Sequence, residues 1–239
     1  MSLSIIIPVF NEIDQLKVTI KKLTLLKKKI KKIEIIFIDD FSKDKTFNFL
    51  KSKTKTKKYN FISVFKNKKK GLGSAIHNGI IKSKNQYVCI MACDLSEDLK
   101  DVIKYYDIIK KEKLDAVFGS RFIKNSKVKN YPLLKLILNR IFNNIVRIIF
   151  LTNYNDFTNG FKIYKRKSLL LLFPIVSENF NVFLELPLKI ISRKFKYRIT
   201  NINYYNRTIG VSKFKIGELG SMYIFTMLYC FIERLLLKK

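Results

Sequence analysis

QYVCIMACDLSEDLKDVIKYYDIIKK, residues 86–111, decides the fold. It opens on an apolar run, 86–92, too short for a core helix and rich in strand formers. A turn carrying Asp94 and Ser96 follows. Leu99, Val102, Ile103 and Tyr106 then recur at i, i+3, i+4 and i+7, the period of an amphipathic helix. A strand thus runs into a helix through an acidic turn.

The same unit recurs along the first half. SIIIPVF (4–10), IEIIFID (33–39), NFISVF (60–65) and DAVFGS (115–120) read as further strands. QLKVTIKKLTLL, KTFNFLKS and GSAIHNGIIKS read as the helices between them. This alternation implies an α/β fold with a mostly parallel sheet flanked by helices. The near-continuous apolar strands agree, because such a sheet is covered on both faces. KKKIKK (27–32) and the lysine-rich stretch 52–58 read as solvated loops. From about residue 131 the pattern shifts to long helices, with one late extended segment, YRITNINYYNR. The 239 residues read as one domain with a C-terminal helical elaboration.

Hydrophobic residues make up 48% of the chain, which excludes global disorder. The formal charge is +30, from 48 basic and 18 acidic residues, which points to an anionic partner or to a lysine-rich solvated surface. Cys89, Cys93 and Cys230 have no metal-ligand spacing and read as buried thiols in a reducing, cytoplasmic setting. SIIIPVF begins with no basic segment ahead of it, so no signal peptide is expected. No apolar run reaches the roughly 18–20 residues of a spanning helix.

In a parallel sheet, ligands sit beyond the carboxyl ends of the strands. Three such ends carry acids: Glu12, Asp39 with Asp40, and Asp94. Singly, each has a plain explanation. Glu12 and Asp44 suit helix starts, and Ser42 suits an N-cap. Three on one edge call for hydroxyl groups or a cation to offset their repulsion. KKKGLGSAIHNG (68–79) lacks the Gly-Lys-Ser/Thr of a phosphate loop and has Ile76 where a dinucleotide fingerprint needs glycine. It reads as a tight turn opening a helix, on which His77 is packed or exposed. Glu97 and Asp98 read as first-turn acids, with a base for a hydroxyl acceptor as the other reading.

SIIIPVFNE, IDDFSKDKT, KGLGSAIHNG, MACDLSED and GSRF occur in an order and spacing that resembles family 2 glycosyltransferases of the GT-A fold. DFTNGFKIYKR and NRTIGVSK narrow the resemblance to the dolichol-phosphate mannosyltransferase group, over residues 4 to about 216. The resemblance implies a GT-A sheet, with residues 1–120 as the nucleotide-sugar half, 121–215 as the acceptor half and 216–239 as a C-terminal, membrane-interfacial helix. It implies transfer of a hexose, with inversion, from a nucleotide diphosphate sugar (GDP-mannose or UDP-hexose) to a polyprenyl phosphate.

Position by position, Pro8, Phe10 and Glu12 match the segment that packs on the nucleoside. Phe37, Asp39 and Cys93 fall in the same donor site. Asp94 matches the second aspartate of the Asp-x-Asp motif that coordinates Mg²⁺ or Mn²⁺. Ala92 replaces the first aspartate, and Ser96 stands where a glutamine ligand is usual. Arg121, Arg207 and Lys213 match positions that bind donor or acceptor phosphate. Lys135 and Arg140 fall where further basic acceptor contacts lie, with Asn139 in place of serine. Such an acceptor needs no protein base, because a phosphate monoester is largely dianionic at neutral pH.

Residues 132–151 put Leu, Ile and Phe on one broad face, which suits a helix in an anionic membrane interface or a core helix. The last segment, GSMYIFTMLYCFIERLLLKK, meets Glu233 after too short an apolar run to span. Attachment is expected to be peripheral, at the cytoplasmic face, or through a membrane-protein partner. Two rival readings keep different partners: a glycan hydroxyl acceptor in surface polysaccharide synthesis, and a basic nucleic-acid-binding protein. The second wants aromatic and basic residues interleaved on an exposed surface, whereas most aromatics here lie in apolar runs.

Overall fold

The structure is a computed structural model and describes residues 2–96, 98–129, 131–205 and 216–237. Its first half is a run of strand–helix pairs: β1 (Leu3–Val9), α1 (Ile13–Lys29), β2 (Ile33–Asp39), α2 (Thr46–Thr54), β3 (Ile62–Lys66), α3 (Leu72–Lys82), β4 (Tyr87–Ile90) and α4 (Leu99–Lys111). β5 (Ala116–Ser120) and β6 (Val128–Lys129) lead into α5 (Leu133–Ile149). Then come β7 (Lys162–Lys165), α6 (Arg166–Leu170), α7 (Val182–Ser192), β8 (Tyr197–Asn201), β9 (Tyr204–Tyr205) and α8 (Ile216–Leu236).

Seven strands form one sheet in the order β3-β2-β1-β4-β7-β5-β8, and β6 pairs with β9 in a separate two-stranded ribbon. β7 runs antiparallel to both neighbours, and the other pairings in the main sheet are parallel. The mostly parallel α/β arrangement read from the alternation is therefore present. Period-two alternation divides the strands between two cores. Leu3, Ile5, Ile7 and Val9 of β1 join Leu16, Ile20 and Leu23 of α1 and Val102, Tyr105 and Ile109 of α4 on one face. Ile6 and Val88 meet Ile76 and Ile80 of α3 on the other, with Val146 of α5 and Leu184 and Leu188 of α7 in the same cluster. Each fully buried Leu or Ile contributes about 1.5–3 kcal/mol relative to exposure.

Two lysine-rich stretches differ from expectation. Lys27–Lys29 form the last turn of α1, where positive charge faces the helix's negative end. α2 likewise runs on to Thr54, and a 3-10 turn covers Lys57–Tyr59. β7 lies outside the run of strands read from the alternation. β5 ends at the carboxyl edge, and the loop preceding β7 is hydrogen-bonded at that edge, so the next strand has to run back from it.

The winding order places the site. The chain builds β1, β2 and β3 outward, then returns to lay β4 on the other side of β1. In open α/β sheets ligands sit beyond the carboxyl ends of the strands at such a reversal, and here α1 and α4 lie together on one face of it while α3 covers the other.

Candidate functional site

The three acid-bearing turns meet at this crevice. Val9 and Asp39 are register partners, and the Asp40 N–H donates to the Val9 carbonyl (2.8 Å), so the first two turns leave the sheet side by side. The β2–α2 loop holds the start of α1. Asn11 N–H donates to Ser42 Oγ (2.9 Å), Glu12 N–H to Thr46 Oγ1 (2.9 Å) and Ile13 N–H to Asp44 Oδ2 (3.3 Å). Asp44 also caps its own helix by accepting from Thr46 N–H (2.9 Å). Asp44 is thus the helix-start acid expected, whereas Ser42 serves Asn11 rather than capping α2. In the third turn, Asp94 Oδ1 accepts from Ser96 N–H (3.1 Å). Gln15 of α1 donates to the Asp94 carbonyl (3.5 Å), tying that turn to the first.

Each of these turns contains a non-glycine residue in the left-handed region: Asn11 (φ 52°), Phe41 (φ 61°) and Leu95 (φ 55°). The conformation is uncommon for bulky side chains such as Phe and Leu, and costs of order 1 kcal/mol or more. Phe41 nevertheless stays half exposed at the rim. Asp39 is 3% exposed. Its Oδ2 accepts from Ser42 N–H (3.3 Å), while Oδ1 is shut from water with no hydrogen-bond partner among the described residues. A buried acceptor left so costs about 1–3 kcal/mol, more when charged.

Asp40 has a different task. It accepts from Asn67 Nδ2 (2.8 Å) and from Gly71 N–H (2.9 Å), fixing the turn before α3. The N–H groups of Gly73 and Ser74 at the start of α3 donate to the Glu178 carbonyl. That turn opens a helix, as its sequence implies, and gives these donors to protein rather than to a phosphate. Beside it, a hollow of about 380 Å³ opens between Asp39, Phe41, Phe47, Asn48, Lys66 and Asn67.

The later half meets this edge at the end of β5. Arg121 and Asp156, both buried, form a two-pronged ion pair: Nε to Oδ2 (2.8 Å) and a terminal nitrogen to Oδ1 (2.7 Å). Burial alone would lower the Arg121 pKa, but Asp156 outweighs it and holds the guanidinium charged. Phe122, Tyr131 and Tyr204 surround it at 5.3–5.4 Å. Arg140 lies over Phe122 (4.3 Å) and donates to the Asn155 carbonyl (2.8 Å), with its pKa lowered by burial. Asn139 and Asn143 of α5 reach Thr158, and Asn143 accepts from Phe157 N–H (2.6 Å). Beneath this loop Lys162 is buried and donates to the carbonyls of Phe157, Asn159 and Phe183. Loop 155–159 therefore binds β5, α5 and β7 together.

Of the residues expected at the site, Pro8, Phe10, Glu12, Asp39 and Asp94 lie at the carboxyl edge, with Ser96 buried beside Asp94. Phe37 is wholly buried in the core under α1 and α4, two residues short of the edge. Cys93 is also buried, and its carbonyl accepts from Thr19 (2.7 Å). All three cysteines are buried thiols. Arg121, Arg140 and half-buried Lys135 gather on the β5–α5 side. Arg207, Lys213 and Glu97 lie outside the described residues. Asp98 caps α4 through Lys100 N–H (2.9 Å), and His77 packs on Phe173 (4.6 Å), as their plain readings had it. Asp156 was missed. Asp156 had one signal, an isolated acid in a basic, aromatic stretch.

Asp94 and Ser96 can be weighed against a divalent cation by their donor set. Among the described residues, no three His, Cys, Asp or Glu side chains cluster to hold a metal. One carboxylate beside a hydroxyl fits Mg²⁺ or Mn²⁺ that takes its other oxygens from phosphates and water. It does not fit a cation caged by protein alone.

Comparison with known proteins agrees with this geometry. The family model for glycosyl transferase family 2 matches residues 4–173. A dolichol-phosphate mannosyltransferase of Pyrococcus furiosus is 29% identical over 140 residues, 59% of this chain and 39% of that protein. A dolichyl-phosphate beta-glucosyltransferase of Dictyostelium discoideum is 31% identical over 184 residues, 72% of this chain and 56% of that one. The chain thus spans well under two thirds of either relative. Among solved structures, glucosyl-3-phosphoglycerate synthase of Mycobacterium tuberculosis, in complex with Mn²⁺, UDP-glucose and phosphoglyceric acid, superposes with a TM-score of 0.72 at 15% identity. The match covers 96% of this chain and 79% of that one, a likeness of fold. With acidic turns gathered at the reversal of a GT-A sheet and a family model matching most of its length, the chain belongs to glycosyl transferase family 2.

Proposed function

We propose that this chain is an inverting hexosyltransferase that moves a sugar from a nucleotide diphosphate sugar to a polyprenyl phosphate at a membrane surface. The observation that carries the reading is the meeting of Glu12, Asp39 and Asp94 at one reversal edge. The two curated relatives act, by their names, on dolichol phosphate.

In this reading Pro8, Phe10 and Glu12 pack on and hydrogen-bond the nucleoside, and Asp94 with Ser96 would hold Mg²⁺ or Mn²⁺. The cation supplies charge neutralisation on the departing diphosphate. Lys135 and Arg140 face the acceptor phosphate, with Arg207 and Lys213 assigned there by resemblance. Arg121, which the resemblance assigns to a phosphate, is held in position by Asp156 at the junction of the two halves. The acceptor's dianionic oxygen attacks the anomeric carbon in line, so no protein group has to take its proton.

The membrane face belongs to α5 and α8. α5 turns Leu134, Ile137, Ile141 and Ile148 outward, and α8 turns out Ile224, Phe225, Leu228 and Ile232. Among the described residues no helix is long and apolar enough to cross a membrane. These faces suit helices lying in the interface, beside an acceptor whose tail stays in lipid.

The test is transfer of radiolabelled sugar from a panel of nucleotide sugars to a polyprenyl phosphate, with Mg²⁺ or Mn²⁺. Label should pass into organic solvent, and Asp94→Ala should cut turnover by about 100-fold or more, the scale of losing a charge-stabilising group, with Tm unchanged. Label remaining in water with a glycan acceptor, or near-normal turnover by Asp94→Ala, would defeat the proposal.

A further inference from the structure

We infer that Tyr154 and Lys162 are positioning residues for phosphate binding: together they hold the loop whose Asp156 aims Arg121. The inference rests on the reading of Arg121 as a phosphate ligand and adds the groups that fix where that ligand points.

Asp156 occupies only one side of the guanidinium. Nε and Nη2 carry the two bonds to the carboxylate, and Nη2 also reaches Thr158 Oγ1 (3.5 Å). The other terminal nitrogen, Nη1, makes no hydrogen bond or ion pair among the described residues. A planar fork clamped along one edge presents its remaining donors in a single direction, which suits a phosphate oxygen. That direction is set by where Asp156 stands.

Asp156 is itself placed by groups beneath it. The Tyr154 hydroxyl donates to the Asp156 carbonyl (2.6 Å) and lies 3.1 Å from the Gly119 carbonyl near the end of β5. The Lys162 ammonium, on the first residue of β7, donates to the carbonyls of Phe157 and Asn159 on the other limb of the loop. It also donates to Phe183 at the start of α7, and it lies 5.8 Å from the centre of the Tyr154 ring. One limb is thus pinned to β5 and the other to α7. Tyr154 and Lys162 are 0% and 1% exposed, so neither can touch a substrate. They act through Asp156. Burying an ammonium costs more than burying a methionine of similar length. What the lysine adds is the fixing of three carbonyls, one for each of its donors.

The experiment is steady-state transfer by the full chain from UDP-glucose and from GDP-mannose to a polyprenyl phosphate, with donor and acceptor varied in turn. Arg121→Lys, which cannot form the two-pronged pair, should raise the KM of one substrate about tenfold or more. Tyr154→Phe keeps the ring in the core and removes only the hydroxyl. It should raise the KM of that same substrate about threefold or more, the loss of one hydrogen bond. Lys162→Met should do likewise, while Lys162→Arg, which keeps donors, should return it to within about twofold. In a chain already carrying Arg121→Lys, Tyr154→Phe should add less than about twofold, because the group it aims is gone. A fall in kcat with both KM values unchanged would report lost folded enzyme and overturn the inference. An undiminished effect in the Arg121→Lys chain would also overturn it, moving the action to the fold at large or to Arg140, which the Asn155 carbonyl holds from the same loop. Unaltered kinetics in Arg121→Lys itself would overturn the phosphate role of Arg121 and the inference with it, and leave hexosyl transfer standing. No transfer by the unaltered chain from either donor would overturn both readings.

Discussion

Lys162 is 1% exposed, and its ammonium points at three backbone carbonyls beneath the Arg121–Asp156 pair. Burial brings its pKa down from 10.5 to about 7, against the pull of Asp156. The unfolded chain keeps this proton up to about 10.5, while the folded chain releases it near 7. Between those values the unfolded state binds more protons, so folding stability rises with pH, by at most about 1.4 kcal/mol per unit. Below 7 the penalty is complete and constant. The gap in unfolding free energy between the wild-type chain and Lys162→Met should therefore change between pH 7 and 9. A gap independent of pH would show that Lys162 does not titrate there. Sequence made Asp39 and Asp94 conspicuous, because each is an acid closing an apolar strand. It could not mark Lys162 among 48 basic residues, since its distinction is burial, which only the folded sheet defines.

At the level of elements, the start of α3 shows what a glycine-rich turn was selected for. A Cβ on Gly73 would fall 2.2 Å from the Ser177 carbonyl oxygen, and one on Gly71 (φ 137°) 2.3 Å from that of Glu178. Both glycines let the turn press against the segment ahead of α7. Gly73→Ala should lower stability by about 1–3 kcal/mol, the cost of overpacking against backbone, read as a drop in the denaturant midpoint. α4 and β2 were legible to the residue because their periodicity is unbroken and their ends are punctuated. β7 was not. It is four residues long, and its place in the sheet is set by where the preceding loop leaves the chain. The apolar face of α5 was legible, but its direction was not. Buried within α5 are Asn143 and Val146, and the broad apolar side looks outward. Ile141→Ser with Ile148→Ser should weaken co-sedimentation with anionic lipid vesicles and leave Tm unchanged, since those side chains are 54% and 66% exposed. Undiminished sedimentation would count against α5 as a lipid-facing helix.

Across the whole molecule, polar anchors fix the outward-facing helix α8. Thr226 accepts from Asn181 (2.8 Å), and Arg234 donates to the Phe150 carbonyl (2.6 Å). Glu233 meets Arg193 and Lys189, while Lys189 also pairs with buried Glu185 (2.8 Å). Two acids and two bases balance there, which suits low-dielectric surroundings where a lone charge would be costly. The net charge of +30 accordingly resides elsewhere. β7 has a wider consequence. Strands from residues 3–90 border those from 116–201 through this four-residue ribbon alone in the described sheet. It works as a zip joining two panels.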